Sequence, residues 1–130
     1  LTQLMESTGG EMAKRLKIKE YTLTDPETNI YFGTYYLAQL VHRCDDSLLQ
    51  SFFSYNAGIT RVRRWLKSSL IEFGKKSDMP LDLFLETIPY AETREYGRKL
   101  VSATTMYEYL AADDEQDSAA FTQIVEKLIK

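Results

Sequence analysis

Cys44 is the only cysteine and His42 the only histidine among the 130 residues. A disulfide framework within the chain is thereby excluded, and so is a zinc site built from several Cys and His ligands. No apolar run approaches the ~20 residues that cross a bilayer, and no basic-then-apolar leader opens the chain. The segment is therefore expected to be soluble. Because it opens Leu1-Thr2-Gln3 without a methionine, it is also expected to be a fragment or a processed product, so the missing leader leaves its compartment open. Sixteen basic and nineteen acidic residues, interspersed, leave a formal net charge of -3. That balance gives no general pull towards phosphate backbones, and nucleic acid is not an expected partner. Strand-period alternation, internal repeats and low-complexity tracts are absent as well.

What is present is an ordinary globular composition, 44% apolar and 27% charged, in a chain long enough for one hydrophobic core. Helical patterns fill it. Glu11 to Leu16 is rich in helix formers, with Met12, Ala13 and Leu16 on one side, although Gly9 and Gly10 weaken the turn before it. Asp25-Pro26 is a helix start, since proline loses nothing at the first helical position and the Asp accepts an orphan N–H. Ile30, Gly33, Leu37, Leu40 and Val41 then recur at helical spacing, which predicts a long helix from Pro26 to His42 with Gly33 at a close approach.

Asp45 and Asp46 are candidate caps for a helix from Leu48 to Tyr55, and Gly58 suits the left-handed conformation that ends one. A short helix carrying Val62, Trp65 and Leu66 is expected from Thr60. The stretch 73–78 is turn-like, and Pro80 restarts the chain into Leu81 to Glu86. After Pro89, the residues Tyr96, Leu100, Tyr107 and Leu110 suggest the buried stripe of a long helix. The acidic run Asp113 to Asp117 reads as a solvated connection to an amphipathic terminal helix with Phe121, Ile124, Val125 and Leu128. The expected class is all-α, six or seven helices without a sustained heptad.

Three ordered motifs narrow the function. They are Leu1-Thr2-Gln3-Leu4-Met5-Glu6-Ser7-Thr8, then Ser54-Tyr55-Asn56-Ala57-Gly58 trailed by Arg61-Val62-Arg63-Arg64-Trp65, then Ile88-Pro89-Tyr90-Ala91-Glu92-Thr93-Arg94-Glu95-Tyr96. Between the first two lies Asp25-Pro26-Glu27-Thr28-Asn29-Ile30-Tyr31-Phe32-Gly33-Thr34-Tyr35-Tyr36-Leu37. In this order and spacing they resemble the soluble lytic transglycosylase (SLT) family, whose fold belongs with goose-type lysozyme. The resemblance runs from Leu1 to about Leu110. It implies an SLT-like, lysozyme-like helical domain over 1–112, truncated at its N-terminal side, with 113–130 as a connection and helix of unassigned role. Thr2 replaces the family's usual methionine, Ile59-Thr60 its Pro-Gly, and Gly97 its valine.

The activity implied by the resemblance is cleavage of the β-1,4 bond between N-acetylmuramic acid and N-acetylglucosamine of peptidoglycan, giving 1,6-anhydromuramyl products. No cofactor or metal is expected, the glycan strand is the expected partner, and the bacterial periplasm or cell envelope the expected location. Such chemistry needs one carboxyl group held protonated by an apolar wall, together with amides and aromatic rings that grip the sugar. In the family that glutamate lies upstream of the first motif, so the acid is expected before Leu1 and no catalytic residue is assigned within the chain. Glu6, where the family usually has proline, is read as a helix-start residue instead.

Six residues match the family's cleft: Gln3 by its amide, Met5 by its backbone carbonyl, Tyr55 and Asn56 near the acid and the acetamido group, Tyr90 along the groove, and Glu92 as a second carboxylate. Four of them have a purely structural alternative. Tyr55 and Asn56 are candidates to pack and satisfy a helix end, Tyr90 to pack beneath a helix start, and Glu92 to favour the first turn of one. Arg61, Arg63 and Arg64 read as a solvated helix face, and Tyr31, Tyr35 and Tyr36 as core. Two further enzyme or binding readings stay open, a hydrolysing goose-type muramidase and a non-catalytic peptidoglycan-binding module, as does a purely structural helical interaction domain.

Overall fold

The computed structural model describes residues 1–67 and 81–111. The turn expected at 73–78, the restart at Pro80 and everything expected over 113–130 lie outside them. The described residues form six α-helices and no strand, as the all-α expectation requires: α1 Glu6–Leu16, α2 Pro26–Arg43, α3 Leu48–Ala57, α4 Ile59–Leu66, α5 Leu81–Glu86 and α6 Ala91–Ala111.

Helix α1 begins five residues before the predicted run. Gly9 and Gly10 lie inside it, and Gly9 is buried under Leu23, where a Cβ would meet Leu23 Cδ1 at 2.7 Å. Met12 and Ala13 are buried as expected and form a small core with Phe32 of α2. Helix α2 starts as the sequence predicts, with Asp25 accepting from the Thr28 N–H at 2.8 Å and Pro26 opening the first turn. Its inner face is Asn29, Phe32, Gly33 and Leu40, whereas Ile30 is half exposed. Gly33 and Leu40 of the predicted stripe are therefore on the inner face, which the buried Asn29 and Phe32 complete in place of Ile30.

The cap of α3 is Ser47, not Asp45 or Asp46. Both aspartates have left-handed backbone, with φ of 52° and 62°, so they turn the chain out of α2 and leave the serine to meet α3. Gly58 separates α3 from α4 with φ 87° and ψ 134°. This is not the left-handed helical geometry expected of a helix-ending glycine but an extended positive-φ conformation that essentially only glycine holds.

The main core gathers on α3. Leu49, Phe53, Ala57, Val62, Phe84, Leu85, Ile88 and Val101 form one buried cluster joining α3 to α4, α5 and α6. Phe53 and Val62 are wholly inaccessible, each worth roughly 1.5–3 kcal/mol of burial. The buried stripe of α6 is Thr93, Gly97, Val101 and Thr105, while Tyr107 and Leu110 are 75% and 70% exposed. The predicted stripe of large residues fails because α3 comes too close for them. A Cβ on Gly97 would sit 2.3 Å from Phe53 Cε1, so this ridge of every fourth residue is built from small and β-branched side chains.

Candidate functional site

The three sequence motifs meet at the C-terminal end of α3. Tyr55 and Asn56 stand in the last turn of that helix, where the wide backbone turn at Gly58 ends it and leaves both half buried. The Tyr55 hydroxyl reaches back to the N-terminal segment and donates to the Thr2 carbonyl at 3.0 Å. Its ring stacks on Tyr96 of α6, with 6.4 Å between centroids and 7° between planes, and meets Tyr36 of α2 at 5.2 Å. Burial pushes the phenols of Tyr36, Tyr55 and Tyr96 up from their ordinary value, so all three remain neutral hydroxyls throughout the physiological range.

Asn56 is fixed from the other side. The hydroxyl of Thr93, itself buried in the first turn of α6, donates to Asn56 Oδ1 at 2.6 Å. That length fits O–H···O and is short for N–H···O, which puts the carbonyl of the amide on Thr93 and turns its NH2 away. No protein acceptor takes that NH2 among the described residues.

Thr2 ties the N-terminal segment to α2. Its N–H and its hydroxyl each reach Asn29 Oδ1 at 2.8 Å, and Asn29 Nδ2 donates in turn to the Leu23 carbonyl at 2.8 Å. The buried asparagine is thus satisfied on both sides. The threonine side chain sits against Gly33, where a Cβ would come within 2.6 Å of it. The close approach expected at Gly33 is therefore real, but the partner is a side chain rather than another backbone.

The remaining candidates are all exposed. Gln3 follows Thr2 with an exposed side chain and φ of 54°. Met5 is 70% exposed, and its carbonyl accepts the Gly9 N–H at 2.9 Å, the first bond of α1. Tyr90, 47% exposed, packs edge-on against Trp65 at 5.3 Å with the Arg61 guanidinium 5.6 Å from its ring centroid. Glu92 is exposed in the first turn of α6. Tyr55 and Asn56 are therefore joined to both other motifs through bonded partners, whereas Gln3, Met5, Tyr90 and Glu92 make no side-chain hydrogen bond among the described residues. Glu6 opens α1, as its structural reading required.

Sequence reasoning overlooked Thr2, Asn29, Thr93 and Tyr96 as builders of the site. Thr93 and Tyr96 lay inside the third motif, and Thr2 was counted as a departure from it. The usable signal was an asparagine in the first turns of an otherwise apolar helix face. No group of three or more His, Cys, Asp or Glu able to hold a metal ion occurs among the described residues.

Comparison with known proteins bears directly on this arrangement. The family of transglycosylase SLT domains matches residues 1–76, more than half of the chain. This chain belongs to that family. Among the relatives of this SLT domain is the soluble lytic murein transglycosylase of Escherichia coli K12, 34% identical over 117 residues, which cover 87% of this chain and 17% of the relative. The soluble lytic murein transglycosylase of Salmonella typhimurium LT2 is 31% identical over 88% of the chain and 18% of its own length. A solved structure, an inactive mutant of the lytic transglycosylase Slt from Pseudomonas aeruginosa, superposes with a TM-score of 0.69 at 30% identity, over 91% of this chain and 19% of that one. The SLT domain therefore has the lysozyme-like helical fold and spans less than a fifth of the length of these relatives.

Proposed function

We propose that this SLT domain forms the glycan-gripping body of a peptidoglycan lytic transglycosylase, in the unit from 1 to 112. In this reading the enzyme cleaves the β-1,4 bond between N-acetylmuramic acid and N-acetylglucosamine without water and leaves 1,6-anhydromuramyl ends, as a lyase of the bacterial periplasm or cell envelope. The observation that carries the reading is the junction at the end of α3, where Tyr55 and Asn56 bond to the first motif through Thr2 and to the third through Thr93. A bond between Asn56 Oδ1 and Thr93 leaves an outward NH2, a fixed donor for the carbonyl of an acetamido sugar, and fixed donors cost the ligand little ordering.

Besides it, Gln3 offers an amide, Met5 the second lone pair of its carbonyl, Tyr90 an exposed ring for a sugar face, and Glu92 a carboxylate for sugar hydroxyls. The proton donor needs a carboxyl group in an apolar wall. Every Asp and Glu whose side chain is described is exposed, which supports a donor supplied from outside these residues. The Pseudomonas neighbour was solved inactive with a glutamate changed to glutamine, in keeping with a single essential acid.

Mass spectrometry of muropeptides released from purified peptidoglycan by the protein carrying this sequence tests the proposal. Anhydromuramyl ends are the expected product. Reducing ends would instead make the domain a hydrolysing muramidase. The exposed carboxylates also favour a second reading, a non-catalytic peptidoglycan-binding module, and release of nothing by a folded protein that still binds glycan would establish it.

A further inference from the structure

A second site stands on another face of α3. Ser54 precedes Asn56 by two residues, about 200° around the helix, and faces an open cavity of about 460 Å³ between the end of α2, α3 and α4. Ser54 is wholly buried, and its only side-chain hydrogen-bond partner among the described residues is the Cys44 thiol at 3.6 Å, a weak one. Among the described residues Arg43, Arg63 and Lys67 supply cations to the cavity wall, against one carboxylate, Asp45. Ile59, Val62 and Leu66 supply an apolar wall.

The charge of this wall is unusual for the molecule. Arg15, Arg94 and Arg98 are each paired with a glutamate, whereas Arg43, Arg61, Arg63 and Arg64 have no carboxylate partner among the described residues. Helix ends favour cations, and both α2 and α4 end here. That preference places Arg43, Arg63 and Lys67 at the two helix ends, where together they give the wall its positive charge. Arg63 is already oriented, since it donates to the Arg43 carbonyl at 3.2 Å, and a pre-set guanidinium recognises a carboxylate at low entropic cost.

We infer that this cavity binds a carboxylate carrying a small aliphatic group, as at the C-terminus of a short peptide. The cations hold the carboxylate, and the aliphatic group lies on Ile59 and Leu66, the partly exposed apolar side chains of the wall. The site is separate from the glycan junction and does not depend on it.

An NMR titration of the 130-residue chain with N-acetyl-alanyl-alanine is the test, with its C-terminal amide and inorganic phosphate as parallel probes. Saturable shifts at the amides of Cys44, Asp45, Ser54 and Lys67 are expected with the free carboxylate. Lys67→Gln, a change at an exposed position, should weaken binding about fivefold, and Arg43→Gln with Arg63→Gln should weaken it at least about tenfold. Equal binding of the amide, tighter binding of phosphate, shifts elsewhere or no saturation would each overturn the proposal. Should the double variant unfold, the Lys67→Gln titration decides by itself.

Discussion

The two sides of the junction at Tyr55 and Asn56 are held by different forces. Helix α6 is pressed on α3 through the Phe53 ring over Gly97, inside the main core. The N-terminal segment is laid on α2 through Thr2 and Asn29 and on α3 through Tyr55 by hydrogen bonds, with only the partly buried Leu4 and the Thr2 side chain adding packing. Close packing is lost only with the core around it, whereas a hydrogen-bonded strap of five residues opens locally at a small fraction of the global cost. One side of the junction is therefore as rigid as the fold, and the other is adjustable at the point where Gln3 and Met5 are exposed.

Gly97→Val attacks the rigid side and should have the largest effect. With Phe53 wholly buried and unable to retreat, a β-branched side chain there should cost about 2–3 kcal/mol, read as a lower urea midpoint for the whole domain. Gly33→Ala attacks the strap, because its methyl would occupy the place of the Thr2 side chain. An expected loss of about 1–2 kcal/mol should come with fast amide exchange confined to the first five residues. If both variants lowered protection across all six helices alike, the two sides would not be distinct.

Tyr55→Phe is milder. It removes one hydrogen bond to the Thr2 carbonyl and keeps the stack on Tyr96, so about 1 kcal/mol is expected from thermal unfolding. The smallest effect concerns Asp25, the cap of α2. Its carboxylate is held below the ordinary aspartate value by the Thr28 N–H, so the folded chain takes up that proton less readily than the unfolded one. Its contribution is complete above the ordinary value and fades as pH falls through the depressed folded one. Asp25→Asn, which keeps a capping oxygen, should flatten that acid limb in a pH series of melting temperatures.

Much of the fold was readable because helix starts and apolar spacing are local. Asp25-Pro26 opens α2 as predicted, and the helix after Pro89 runs to Ala111. The inner face of α6 was not readable, since only the nearness of Phe53 explains why glycine, valine and threonines, rather than tyrosines and leucine, are buried there. The cap of α3 was misassigned for a related reason: Asp45 and Asp46 have capping chemistry, but their left-handed backbone is set by the turn out of α2. At the site, Tyr55 and Asn56 stood out in the sequence as a motif. Thr93 and Thr2, which orient them, did not, because a supporting hydroxyl has no pattern of its own until two distant segments meet.

The most direct measurement is an NMR titration of the chain with a β-1,4-linked tetramer of N-acetylglucosamine, with and without Asn56→Ala. Saturable shifts at Tyr55, Asn56, Thr93 and Gln3, abolished in the variant while its fold is kept, are expected of a glycan groove at this junction. Shifts that persist unchanged in Asn56→Ala, or no binding by the folded chain, would contradict it.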